Sequence, residues 1–103
     1  MFDYEKLHQV AFQITKNLNR IIDGNYYPCD EARNSNMRHR PIGIGIQGLA
    51  DALMLLKIPF EDDRAYQFNQ EVFETIYHAS MESSMELAKL EGAYQSFPGS
   101  PLS

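Results

Sequence analysis

Cysteine is almost absent from the 103-residue sequence. Cys29 stands alone, which rules out an intrachain disulfide and any paired-cysteine metal or redox motif, and is consistent with a reducing compartment. Excess positive charge is also lacking. The formal net charge is −5, which argues against general binding to nucleic acid or to an anionic membrane. No apolar run approaches the roughly 20 residues that a membrane span needs. The first 22 residues carry charged and polar groups throughout, unlike a secretory signal. Together these features predict a cytoplasmic protein. There is no internal repeat, no low-complexity tract, no nucleophile elbow and no metal box. What is present is a 44% hydrophobic fraction in a length typical of one domain, enough to bury about 60–65% of the unfolded surface.

The periodicity predicts three to four helices and a mainly α segment over residues 1–103. A first helix is expected from about Asp3 to Asp23, with Asp3 as N-cap and Gly24 as a left-handed C-terminal cap. Its apolar stripe is Leu7, Val10, Ala11, Ile14, Leu18, Ile21 and Ile22. Tyr27, before Pro28, must leave the helical region. Asp30 is a plausible cap for a short, polar second helix to about Met37. The run Ile42–Leu56 opens on a Gly-Ile alternation that reads as a helix start, a turn or a short extended piece. It continues into a central helix on Ile46, Leu49, Ala50, Leu53 and Leu56, apolar nearly all round and therefore buried, around which the rest should pack. A long final helix is expected from about Asp62 to Glu91. Ala65, Phe68, Val72, Ile76, Ala79, Ser83, Leu87 and Leu90 lie along one line, broadened by Phe73, Tyr77, Ser84 and Ala88, and Gly92 is its C-cap. The chain ends on a Pro-Gly-Ser-Pro loop that suggests a piece of a longer protein.

Four features invite a chemical reading. Gly43-x-Gly45-x-x-Gly48 matches a dinucleotide-binding pattern, but that motif needs a preceding strand, and none can be read in Asn34–Pro41. Arg33, Arg38, Arg40 and His39 form a basic cluster suited to an anion. The plainer reading is pairing with Asp30, Glu31 or Asp51. Glu71, Glu74 and His78 share one helix face and could hold a metal, although a solvated Glu-rich face explains them as well. Cys29 has no neighbouring ligand pattern and reads as an incidental thiol.

Several longer runs carry a resemblance. They are Asn17-Leu18-Asn19-Arg20-Ile21-Ile22-Asp23, Asn25-Tyr26-Tyr27-Pro28, the stretch Arg38-His39-Arg40-Pro41-Ile42-Gly43-Ile44-Gly45-Ile46-Gln47-Gly48-Leu49-Ala50-Asp51-Ala52, Phe73-Glu74-Thr75-Ile76-Tyr77, Glu86-Leu87-Ala88-Lys89 and Gly99-Ser100-Pro101. In this order and spacing the chain resembles the large, catalytic subunits of eukaryotic-type class I ribonucleotide reductases, from Phe2 to Ser103. The resemblance implies a section of a ten-stranded α/β barrel. It also implies a parent enzyme that reduces ribonucleoside diphosphates through a thiyl radical and a redox cysteine pair. The implied partners are the remainder of the large subunit and a small subunit with a di-iron centre and tyrosyl radical. ATP and deoxynucleotides are the implied effectors.

Carried over residue by residue, the resemblance leaves no catalytic, cofactor-binding or metal-binding residue in this chain. The family's Asn-x-Cys-x-Glu motif and redox pair have no match. Cys29 stands where many relatives carry an aliphatic residue, and Asp30 where they often carry proline. The segment is therefore expected to supply scaffold helices, to be inactive alone and to self-associate. The rival readings are an autonomous helical interaction module and, less favoured, a nucleotide-binding domain using Gly43–Gly48. A Gly48→Val change is expected to be more damaging than Glu74→Gln, through overpacking.

Overall fold

A computed structural model describes residues 1–103. It contains four helices and no strand: α1 (Tyr4–Gly24), α2 (Asp30–His39), α3 (Leu49–Leu55) and α4 (Asp63–Glu91). The 29-residue α4 is the organising element, not the run before it. Ala65, Phe68, Val72, Ile76, Ala79 and Ser83 are buried along the predicted line, and α1 packs along them. Cross-contacts run in ascending order on both helices. Tyr4 meets Glu71, Phe12 meets Ser83, Lys16 meets Glu86 and Asn19 meets Glu91. The two long helices are therefore parallel.

Small side chains set their closeness. Ala11 and Thr15 on α1 and Ala79 and Ser83 on α4 are all at most 3% exposed. Both hydroxyls are satisfied within this seam. Thr15 Oγ1 donates to the Ala11 carbonyl at 2.9 Å, and Ser83 Oγ donates to the Phe12 carbonyl of the other helix at 2.9 Å. The second bond fixes the register of α1 on α4. At the N-terminal end Phe2 stands edge-on to Phe68, ring centroids 5.0 Å apart.

The central helix forms, but it is shorter and far less buried than expected. Residues 40–48 are non-helical, and α3 is only seven residues long. Each glycine costs a helix about 1 kcal/mol relative to alanine, and Gly43, Gly45 and Gly48 follow Pro41 within eight positions. The Gly-Ile alternation instead gives extended backbone of period two. Ile44 and Ile46 pack against the core while the glycines face outward. Of α3 only Leu53 is buried; Met54 and Leu55 are 68% and 85% exposed. The helix closes with Lys57 left-handed (φ 57°), its N–H bonded to the Met54 carbonyl and that of Ile58 to the Leu53 carbonyl. That double bond is a Schellman ending built without glycine.

Three smaller expectations also change. Gly24 is the last helical residue rather than a left-handed cap, because Asn25 turns straight into extended geometry toward Pro28. The Tyr27 hydroxyl then satisfies the Ile22 carbonyl at 2.7 Å. Cys29, not Asp30, caps α2, without a side-chain bond, and α2 continues to His39. The broad apolar faces are only partly covered: Val10, Ile14 and Ile21 on α1, and Phe73 and Tyr77 on α4, stay exposed. Asp3 and Gly92 take their expected cap positions, and Asp62, the expected start of the last helix, is its N-cap.

Candidate functional site

The basic cluster resolves into one structured residue, Arg40. It ends α2 in the left-handed region (φ 47°), with its N–H bonded to the Asn36 carbonyl at 2.8 Å. A non-glycine residue there costs energy and persists where its surroundings hold it. The holding contacts are on α1. The guanidinium donates to both Asp23 carboxylate oxygens, at 2.8 and 3.0 Å, and to the Asn19 side chain and carbonyl, at 2.7 to 3.0 Å. These bonds hold the Asp23 carboxyl below the usual carboxylate range. The partner is thus Asp23, not Asp30, Glu31 or Asp51. With its donors committed to α1, Arg40 acts as a clamp between α1 and the start of the Gly-Ile segment.

Arg40 forms one wall of a cavity of about 410 Å³. Ile42, Met85, Ala88, Tyr94 and Phe97 supply much of its apolar lining. Its far side is the C-terminal loop, which returns to α2. The Ser96 N–H reaches the Arg38 carbonyl at 3.4 Å, and Ser96 Oγ lies 2.9 Å from His39 Nδ1. Arg33 and Arg38 are exposed and join no ion pair.

The other sequence candidates disperse. Gly43–Gly48 follows a helix and an extended stretch, not a strand, so the context of a dinucleotide loop is missing. Glu71 is engaged by the Tyr4 hydroxyl at 2.7 Å and by Gln67 at 2.9 Å. Those bonds lower its carboxyl, and burial together with the Glu71 bond pushes the Tyr4 phenol up to about 12. Glu74 is exposed and outside that pair. His78 turns to His8 on α1, a cross-helix neighbour that spacing within one helix could not show. Cys29 is an exposed free thiol. The clamp is half legible in the sequence: Arg40 belongs to the visible basic cluster, but its partners Asn19 and Asp23 lie on another element.

A family model described as ribonucleotide reductase, barrel domain, matches residues 1–103. The chain belongs to the ribonucleotide reductase barrel-domain family. It is 59% identical over 102 residues to the ribonucleoside-diphosphate reductase large chain 2 of Saccharomyces cerevisiae, covering 99% of this chain and 12% of that protein. The large chain of Schizosaccharomyces pombe is 57% identical over the same coverage of this chain, and the large subunit of Caenorhabditis elegans 59%. The chain spans about one eighth of the length of these curated ribonucleotide reductase relatives. Its segment of the barrel domain has four helices, none long and apolar enough to cross a membrane.

Proposed function

We propose that this chain is a scaffold section of a ribonucleoside-diphosphate reductase large subunit, which reduces ribonucleoside diphosphates to deoxyribonucleoside diphosphates for DNA synthesis. The observation that carries the reading is the 59% identity to a protein of that name across 99% of the chain. The fold supports it. Two parallel helices linked through an extended stretch suit the helix layer around a parallel-stranded barrel. The apolar side chains left on α1, α3 and α4 suit contact with the barrel and its neighbouring helices.

In this reading the catalytic cysteines, the phosphate contacts and the effector sites for ATP and deoxynucleotides belong to other parts of the large subunit. The radical comes from a small subunit with a di-iron centre. The cytoplasm is the proposed compartment. The segment's own task is positional: the Arg40 clamp and the α1–α4 seam hold the helix layer in register.

The test is a chimera. Residues 2–103 replace the matching stretch of the S. cerevisiae large chain 2, and CDP reduction is measured with the small subunit supplied. Retained reduction is expected. A soluble, folded chimera without activity contradicts the assignment. The 103-residue chain assayed alone under the same conditions is expected to show no turnover, because radical reduction with a dithiol needs three thiols and this chain has one.

A further inference from the structure

One side-chain cluster takes no part in the scaffold reading. His8 of α1 meets His78 and Glu82 of α4. His8 Nε2 lies 2.9 Å from Glu82 Oε2. The His8 and His78 rings are 5.6 Å apart, tilted by 42°. One donor atom from each of the three residues lies within 4.8 Å of the others. We propose that His8, His78 and Glu82 form a binding site for a transition-metal dication of the zinc type, clipping α1 to α4.

The donor set decides the class of cation. Two imidazoles and one carboxylate are the ligands of open, three-residue zinc sites, with water in the fourth position. Calcium and magnesium prefer oxygen donors and fit poorly. His78 and Glu82 are four residues apart, so both project from one face of α4. His8 faces them because the register is locked next to the site. Ser83, wholly buried and adjacent to Glu82, bonds the Phe12 carbonyl one turn beyond His8. Phe12 also stacks on the His8 ring, 6.2 Å between centroids, and limits its rotation.

The surroundings favour a cation. The cluster opens onto a shallow cleft of about 600 Å³ lined also by Glu5 and Glu74, and no lysine or arginine lines it. That opening leaves room for water on the metal. Ligand atoms on a tetrahedral zinc, at about 2.0–2.1 Å, stand roughly 3.3–3.4 Å apart. The three side chains reach that spacing by rotamer adjustment, since His8 and Glu82 are 32% and 41% exposed and His78 is exposed. The ordinary alternative, a His8–Glu82 surface pair, leaves His78 with no hydrogen-bond partner and gives no reason for two imidazoles side by side.

The experiment is a Co²⁺ titration of the full-length polypeptide carrying residues 1–103, wild type beside H8Q, H78Q and E82Q. Visible d–d absorption reports tetrahedral binding, and Zn²⁺, Ca²⁺ and Mg²⁺ serve as competitors. The difference between wild type and variant isolates this site from any other metal ligand in the polypeptide. The expected result is one Co²⁺ equivalent, displaced by Zn²⁺ but not by Ca²⁺ or Mg²⁺. Substituting a residue behind a ligand already costs about 10–100-fold in affinity, so loss of either histidine is expected to cost about 100-fold or more. Zn²⁺ should also raise the thermal transition of the wild type and leave H78Q unmoved. His78 is exposed, so H78Q should keep its helical circular dichroism. Equal stoichiometry and affinity in wild type and H78Q, or no Co²⁺ bound at micromolar free metal, overturns the proposal.

Discussion

At the scale of single residues, two of the hydrogen-bonded groups that tie α1 to the rest of the chain each give a measurable signature. Arg40 binds through a planar fork, which lysine cannot reproduce. Arg40→Lys is therefore expected to lower stability nearly as much as Arg40→Ala, by about 1–2 kcal/mol from urea midpoints. The Asp23 carboxyl is lowered in the folded state. The stability it contributes is fully present above the unfolded value near pH 4 and is lost as pH falls through the depressed folded value. An Asp23→Asn variant should accordingly show a shallower acid limb. Tyr4 behaves oppositely. Its phenol is raised to about 12, so its contribution is complete below about pH 10 and disappears as pH rises through 12. In an alkaline absorbance titration, one of the six tyrosines should ionise near pH 12, and Tyr4→Phe should remove that late step.

At the scale of elements, legibility followed the length of the periodic pattern. The polar and apolar stripes of α4 run for eight turns, and the predicted buried line from Ala65 to Ser83 is the one observed. In Ile42–Leu56 the apolar content points to a buried helix, yet of α3 only Leu53 is buried, because the elements that would cover its other faces are not in this chain. The period-two Gly-Ile pattern was the better guide, with Ile44 and Ile46 inward. Contacts such as Arg40–Asp23 and His8–His78 were not readable, because register between separate helices depends on the Ser83–Phe12 bond and the small-residue seam. The same facts reassign the cost at Gly48. A Cβ there would meet only Asp51 Oδ2 at 3.8 Å, so volume is not the problem, but φ is +91°. Gly48→Val is expected to cost about 1–3 kcal/mol through backbone strain, and Gly43→Ala or Glu74→Gln to stay within about 0.5 kcal/mol, all by thermal melts. Packing should count most at the seam. Ala79, 0% exposed, should lose about 1–3 kcal/mol as Ala79→Leu, whereas Leu55→Ala, at an 85% exposed position, should leave the melting temperature of the chain almost unchanged.

At the scale of the molecule, the surface is too large for the mass. The chain exposes 7845 Å², against about 5,900 Å² for a compact monomer of 11.9 kDa. Its radius of gyration is 16.9 Å, against roughly 13 Å expected for this length. The excess is apolar in part: Ile21, Met54, Leu55, Phe60 and Leu90 are each more than half exposed. Tyr66, Phe73 and Tyr77 add a stripe along α4. Surface of this kind marks association, so the purified chain should exceed 11.9 kDa in light scattering at micromolar concentration, and a clean monomer would show that these side chains need no cover.

We propose that the remainder of a reductase large subunit covers those side chains, and Leu55 on α3 gives the sharpest test. Leu55→Asp is introduced both into the 103-residue chain and into the chimeric large subunit, and CDP reduction is measured beside helical content. The predicted result is unchanged helicity in the chain, where Leu55 touches mostly water, with reduction by the chimera lowered at least about tenfold, since an unpaired charge buried at a contact costs several kcal/mol. A chimera that carries Leu55→Asp at full activity would contradict the account.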